Sequence, residues 1–268
     1  MKKKLLIFSI CYLIIIAFLA IFVPMLPNVD ANKFDPNYIS EPEPPSIRHI
    51  LGTDDFGRDV LLRCIYGARI SLTVGLVAVS IMLIVGMTIG LIAGYKGGFF
   101  DEIVMRLVDV FMSIPTIFLI LTIQVLLKPS IYNVMIVIGL TSWVGVARIV
   151  RAEVMSIKER PYILAARARG FSNFRLLLKH ILPHTLNPVI VAMILSIGIA
   201  ILIESTLSFL GMGVQPPQAS WGNMLENSLS FMRDAPWMVF APGFFITLTV
   251  LAFNFLGDGL RGIINPKT

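Results

Sequence analysis

Long apolar runs recur along this chain, and they constrain its fold more than any other feature. A helix needs about 20 mostly apolar residues to cross the hydrocarbon core of a bilayer. The predicted spans cover approximately residues 5–23, 70–94, 103–127, 131–149, 188–207 and 237–256. Charged residues make up only 14% of the 268, whereas soluble domains carry about 25%. The sequence therefore predicts an all-α, polytopic membrane protein with six transmembrane helices.

The first apolar run follows three lysines, which is also how a secretory signal peptide begins. A cleaved signal is therefore the alternative to a membrane helix. The run is long for a signal peptide, no small-residue cleavage site follows it, and two prolines, Pro24 and Pro27, end it. We expect a transmembrane helix in 1–27, an extracytoplasmic loop with an amphipathic segment in 28–69, and a core domain with five helices in 70–268.

The distribution of basic residues predicts the orientation. Six spans place both termini on one side of the membrane. If that side is the cytoplasm, the inner segments carry 15 of the 22 lysines and arginines. Cytoplasmic loops are enriched in these residues, so we expect both termini, and the basic stretch between the fourth and fifth spans, to be cytoplasmic.

Two features of the spans concern helix packing and shape. Gly86, Gly90 and Gly94 form a small-residue stripe at helical spacing, and such stripes let membrane helices approach closely. The alternative is that glycine is simply common in membrane helices. In the third span, Pro115 predicts a kink. We also expect Asp109 and Arg106 to pair near the cytoplasmic interface.

The segment between the fourth and fifth spans predicts a short helix outside the membrane. Pro161 suits a first helical turn, and Gly170 suits a helix end. Between them lie two small helix formers, Ala165 and Ala166, and a third alanine. This surface fits a groove on another protein, with Arg167 and Arg169 at its rim. A helix resting on anionic lipid is the alternative.

The same segment resembles the cytoplasmic coupling loop of bacterial ABC import permeases. The shared pattern is Ala165-Ala166, then Gly170, then Leu182-Pro183 at the spacing found in that family. Leu164 and His180 depart from it, since the family has Glu and Ile there. The stretches that resemble the dipeptide, oligopeptide and nickel branch are 51–59, 67–72, 208–213, 221–224 and 254–261.

The resemblance implies a subunit of an importer in the bacterial inner membrane. Its implied partners are a second homologous permease, two ATPase subunits, an extracytoplasmic solute-binding protein and membrane lipid. The coupling loop would cover about 156–183, and the coupling residues would be Ala165, Ala166, Arg167, Arg169, Gly170, Leu182 and Pro183. Dipeptides or oligopeptides are the expected substrate, nickel or a metal chelate is the alternative, and an ATP-independent channel is the alternative from a different class.

The chain itself carries little that suggests chemistry. It lacks a Gly-x-x-x-x-Gly-Lys sequence for binding phosphates, so we expect it not to be an enzyme, and ATP and Mg to bind to the partner ATPases. Its basic residues do not form a patch with aromatics, so nucleic acid is not expected. His180 and His184 lie four apart, but Pro183 lies between them and further ligands are lacking, so no metal site is expected.

One acidic residue falls inside a predicted span. Glu204 lies near the outer end of the fifth span, where acids usually face a bundle interior or water. We expect Glu204 and Ser205 to line the translocation path or an outer gate. The alternative is a satisfied polar contact that holds subunits together. The acidic loop 52–59 predicts a structural turn with internal pairing, and a metal-binding loop is its alternative.

Overall fold

The computed structural model describes residues 2–27, 30–31 and 41–264. Part of the predicted loop in 28–69, namely residues 28–29 and 32–40, lies outside the described residues, as do the last four residues of the chain. Within the described part, five segments are long and apolar enough to cross a membrane, and a bent pair of helices is a sixth candidate. The chain is therefore an all-α polytopic membrane protein, as the apolar runs predict.

The helices follow one another with short connections. In chain order they are α1 (Lys2–Phe22), α2 (Val60–Lys96), α3 (Gly98–Ser113), α4 (Thr116–Leu126), α5 (Ile131–Lys158), α6 (Pro161–Ala168), α7 (Asn173–Leu176), α8 (Leu182–Phe209), α9 (Trp221–Ser228) and α10 (Trp237–Ile264). Large apolar side chains stay exposed along the long helices; Ile14 and Phe240, for example, are 63% and 72% exposed. In a membrane these exposed side chains contact lipid tails, which are as apolar as the side chains themselves.

Helix α2 is the centre of the bundle and packs most extensively on α5. The three glycines of the stripe make this contact. A β-carbon at Gly90 would lie 2.5 Å from the carbonyl oxygen of Ala147, and one at Gly86 or Gly94 would lie 2.8 Å from a backbone oxygen of α5. The predicted close approach is confirmed. Helix α8 packs on α2 and α10, and α1 packs on α10.

The predicted third span is broken at Pro115. Helices α3 and α4 meet there at a bend of 83°, because Pro115 cannot donate a backbone hydrogen bond and precedes the first turn of α4. The expected pairing of Asp109 with Arg106 is wrong. Arg148 of α5 donates to Asp109 at 2.5 Å, and Arg106 donates to Glu102 one turn away at 2.6 Å.

A second ion pair joins α3 to α5. Arg151 donates from Nε and Nη2 to the two carboxylate oxygens of Asp101, each at 2.5 Å. Bidentate pairs of this kind fix orientation as well as distance. They tie the start of α3 to the end of the bundle where Lys158 donates to the carbonyl of Gly94.

Two helix starts differ from the predicted spans. Helix α2 begins at Val60, ten residues before the expected start at 70, and runs on without interruption. Helix α8 begins at Leu182 and passes through Pro188, where the span was expected to start. Proline is tolerated in membrane helices because neighbouring groups satisfy the freed carbonyl.

The two ends of the described chain lie at the end of the bundle that carries α6. Leu6 of α1 packs against Gly259 of α10, where an added β-carbon would lie 2.6 Å from the leucine side chain. Arg261 of α10 lines the same cleft as Arg160, the residue before α6. Both described ends and α6 therefore share one end of the bundle.

Candidate functional site

Helix α6 has the limits that its sequence predicts. Pro161 occupies its first turn, and the backbone before it is extended at Arg160. At the other end, Gly170 N–H donates to Arg167 O and Phe171 N–H donates to Ala166 O. This pair of bonds is a Schellman motif, and it requires the left-handed conformation of Gly170, whose φ is +81°. Glycine reaches this conformation without the steric penalty of a β-carbon.

Helix α6 buries one side chain in the bundle and exposes most of the others. Ile163 is fully buried, while Ala165, Arg167, Arg169 and Gly170 are exposed and Ala166 is half-buried. The guanidinium of Arg167 lies 5.8 Å from the ring centre of Tyr95. A single apolar anchor with an exposed opposite face leaves α6 available to a partner.

A concave surface of about 430 Å³ opens beside α6. The residues that line it are Tyr162, Ala165, Ala166, Arg169, Phe171 and His180. The small alanine side chains leave the space open, and the aromatic residues form its walls. The structure thus brings together Ala165, Ala166 and Arg169, while Arg167 and Gly170 are not among the lining residues.

Leu182 and Pro183 lie elsewhere, in the first turn of α8. Between them and α6 stand α7 and a π-helical turn, Leu177–Ile181, whose last residue is fully buried. π-helical turns inside helices often occur at functional sites. The coupling residues predicted from the sequence therefore divide into a group on or next to α6 and a pair at the start of α8.

Sequence reasoning missed Phe171 and His180 as walls of the concave surface. Their ring centres lie 5.9 Å apart, and Arg175 lies 4.7 Å from the centre of the Phe171 ring. In the sequence, His180 stands out only as a departure from the family pattern and as half of a histidine pair. The pair is not brought together, since His184 instead lies 5.9 Å from Tyr162. The aromatic residues close to α6 in the sequence were the feature from which these aromatic walls could have been predicted.

Glu204 is fully buried at the other end of the bundle, among serine hydroxyls of the same chain. Ser208 donates to its carboxylate at 2.7 Å, Ser71 of α2 at 3.0 Å and Ser205 at 3.4 Å. Ser220 is a further hydrogen-bond partner. The carboxylate therefore joins α2, α8 and the start of α9 within one subunit.

The motif around Trp221 completes this junction. The indole Nε1 donates to the carbonyl of Cys64 at 2.9 Å. Gly222 packs so closely on α8 that a β-carbon would lie 2.5 Å from the carbonyl oxygen of Ser205. Ser205 is itself only 6% exposed. Glu204 and Ser205 are not among the lining residues of the two cavities, of about 540 and 320 Å³, that lie along α8, and their role in a path or gate stays a prediction.

The acidic loop before α2 folds as a turn with internal pairing. Asp54 accepts from Arg58 Nε at 2.7 Å and from the backbone N–H of Phe56 and of Arg58. Arg63 Nε lies 3.4 Å from the same carboxylate. Burial, and next the charge of Asp54, raise the pKa of Asp55 above its ordinary value. These contacts match the structural turn expected for 52–59.

A comparison with protein families identifies the fold. Residues 86–268 match the family described as binding-protein-dependent transport system inner membrane component. The chain belongs to this family. The permease is accordingly a multi-pass inner membrane protein of a transport system.

Curated relatives match nearly the whole permease. It is 43% identical to the dipeptide transport system permease protein DppC of Alkalihalophilus pseudofirmus, over 99% of this chain and 87% of the relative. It is 38% identical to the oligopeptide transport system permease protein OppC of Bacillus subtilis, over the same shares. Among solved structures, a chain of the inward-facing MetNI methionine ABC transporter shares the fold. Their TM-score is 0.59 at 18% identity, over 78% of this chain and 97% of that one.

Proposed function

We propose that this permease is one membrane-spanning subunit of an ATP-driven ABC importer that moves dipeptides or oligopeptides across the inner membrane. The main support for the proposal is the exposed helix α6 with its concave surface, which lies in the chain between the long membrane helices α5 and α8. The peptide substrate is supported by the relatives, which are dipeptide and oligopeptide permeases at 38–45% identity.

The proposed complex contains a second homologous permease, two ATPase subunits and an extracytoplasmic solute-binding protein. ATP and Mg bind to the ATPases. Both termini face the cytoplasm, which the excess of lysine and arginine at the α6 end of the bundle supports. The same end then meets the ATPases, and the turn around Asp54 and the α9 region face the binding protein.

Helix α6 acts as the coupling helix in this proposal. Helix α6 would enter a groove on the ATPase, where the small side chains of Ala165 and Ala166 make little steric demand, and Arg169 would meet an acidic group at the rim of that groove. Closure of the ATPase pair on ATP moves α6, and α6 moves α8 through α7 and the π-helical turn. Such rigid-body movement between two states opens the path alternately to either side.

A charge placed in the concave surface tests the coupling role. Ala166→Asp puts a carboxylate where the partner would dock, and Gly170→Asp also strains the left-handed turn that ends α6. We expect both variants to insert into the membrane, to lose co-purification of the ATPases and to lose peptide uptake. Uptake is measured with a radiolabelled dipeptide in proteoliposomes that contain the complex, its binding protein and internal ATP.

The matched control is Ala168→Asp, which adds the same charge to the same helix outside the residues that line the concave surface. We expect ATPase binding and uptake to persist in this variant. Normal ATPase binding in Ala166→Asp would contradict the docking role. Uptake of nickel without uptake of any peptide would contradict the substrate, and peptide flux in the absence of ATP would indicate a channel.

A further inference from the structure

A second cleft, of about 540 Å³, opens at the α6 end of the bundle between α5, α8 and the end of α10. Its apolar walls come from one face of α5 and one face of α8, because their lining residues recur at three- or four-residue spacing. Those residues include Ile149 and Ile157 of α5 and Pro188, Val191 and Leu195 of α8. The volume lies within the range of small-molecule sites, about 300–1,000 Å³.

The same two helices also line a separate cavity further along the bundle. A second cavity of about 320 Å³ is lined by the next turns of the same two helices, including Ser142 and Gly145 of α5 and Ser196 and Ile199 of α8. Together the two cavities follow the α5–α8 crossing over most of its length.

Charges of both signs face the larger cleft. Glu153 lies on the wall formed by α5, and Arg160 and Arg261 lie at the α6 end. Within the described part of the chain, none of these three forms an ion pair or a side-chain hydrogen bond. Asn187 adds an amide between them that likewise has no described partner. Unpaired opposite charges across one cleft suit a ligand that carries both charges itself.

We propose that this cleft binds a short zwitterionic peptide, with Glu153 holding the α-ammonium group and Arg160 and Arg261 holding the α-carboxylate. The proposal rests on the proposed function and specifies how this subunit recognises the substrate of that function. Arginine suits the carboxylate end because its planar guanidinium can donate two parallel hydrogen bonds.

The spacing of the charges sets the length of the peptide. Helix α5 continues for five residues after Glu153, to Lys158, which at about 1.5 Å per residue corresponds to roughly 7.5 Å along its axis, and Arg160 lies two residues beyond that end. An extended chain advances about 3.3–3.6 Å per residue, so a dipeptide or tripeptide spans this distance. The ammonium and phosphate of an aminophospholipid are separated by only two carbons, which is too short to reach both ends of the cleft.

The test combines charge-removing variants with end-blocked peptides. The assembled transporter, without binding protein or ATP, is placed in lipid nanodiscs, and dissociation constants are measured by equilibrium dialysis. The ligands are trialanine, N-acetyl-trialanine and trialanine amide. We expect each blocked peptide to bind about three- to tenfold more weakly than trialanine, the effect of losing one charge-assisted contact in a half-exposed site.

The variants should then show which charged side chain holds the ammonium end of the peptide and which holds its carboxylate end. Glu153→Gln should weaken trialanine by the same three- to tenfold and leave N-acetyl-trialanine unchanged, since that ligand has no ammonium group. Arg261→Gln should weaken trialanine and leave trialanine amide unchanged. The control Glu102→Gln removes an exposed glutamate of α3 and should change nothing. If each variant weakens all three peptides equally, the charges serve assembly with the second subunit and the proposal is overturned.

A measurement on the unaltered protein keeps the test decisive if a variant fails to assemble. A dipeptide of p-benzoylphenylalanine and alanine is photolysed in the same nanodiscs, and its adducts are located by mass spectrometry. We expect adducts on the α8 wall, at Val191, Ala192 or Leu195, that excess trialanine removes. Adducts only elsewhere, or no binding, overturn this proposal alone if ATP-dependent peptide uptake persists, whereas an assembled complex without peptide uptake overturns the proposed function.

Discussion

The contact between α2 and α5 allows a quantitative prediction, because its glycines differ in how close an added β-carbon would lie to the atoms of α5. A methyl group at Gly90 would lie 2.5 Å from the carbonyl oxygen of Ala147 and 2.8 Å from the β-carbon of Val150. Both atoms are on or next to the α5 backbone, so no side-chain rotation relieves the clash. Ordinary carbon contacts are about 3.5–4.0 Å, so Gly90→Ala has to separate the two helices by roughly 1 Å.

The expected loss of stability follows from this displacement. Overpacking of a tight interface costs about 1–3 kcal/mol, and the backbone clash places Gly90→Ala at the upper end. Gly243 of α10 is the matched control, because nothing lies within 4 Å of an added methyl group there. Alanine is favoured over glycine in a helix by about 1 kcal/mol, so Gly243→Ala is expected to be neutral or stabilising. The difference between the variants should be about 2–4 kcal/mol.

The assay is equilibrium unfolding of the purified permease by sodium dodecyl sulfate in mixed micelles, followed by tryptophan fluorescence. Gly86→Ala and Gly94→Ala should fall between the two extremes, since their closest backbone contacts would be 2.8 Å. Gly198→Ala, with its closest contact at 3.6 Å, should resemble the control. Equal stability of Gly90→Ala and Gly243→Ala would refute the inferred backbone contact.

Three further predictions concern buried or half-buried carboxylates and are measured by thermal unfolding of the purified protein. Asp54→Asn, which removes one carboxylate partner of Arg58 and Arg63, should destabilise by about 3–5 kcal/mol, and an unchanged midpoint would contradict it. Glu204→Leu removes the shared acceptor of several serines and should cost about 1–3 kcal/mol, with a smaller loss for Glu204→Gln. Burial raises the pKa of Asp55, so folding favours the protonated form of this carboxyl. The stability of the protein should therefore fall as the pH rises from about 4 through the raised pKa. Asp55→Asn should remove that part of the fall, and identical pH profiles of the variant and the unaltered protein would contradict the prediction.

The features that the sequence predicts well are those determined by residues close together in the chain. The limits of α6 follow from Pro161 and Gly170, the break in the third span follows from Pro115, and the tight α2–α5 contact follows from glycines at four-residue spacing. Each of these depends on residues close together in the chain. Secondary structure and simple helix packing rules are sufficient to predict them.

Contacts between distant residues explain what the sequence could not predict. Asp109 has Arg106 within one turn, yet it pairs with Arg148 of α5, because α3 packs on α5 in the folded bundle. The walls of the concave surface depend on a π-helical turn that carries His180 towards Phe171. Besides the nearby serines of α8, Glu204 has one partner from α2 and one at the start of α9, and the α2 partner, Ser71, is 133 residues away.

The α2–α5 seam also has a consequence for biogenesis. Helix α2 is complete at Lys96 and α5 at Lys158, and ribosomes add roughly 5–20 residues per second. The glycine face of α2 therefore waits in the bilayer for about 3–12 s before its partner has been synthesised. During that interval the glycine face of α2 is open to lipid tails and to any other helix with small residues on its surface, which could occupy the place of α5.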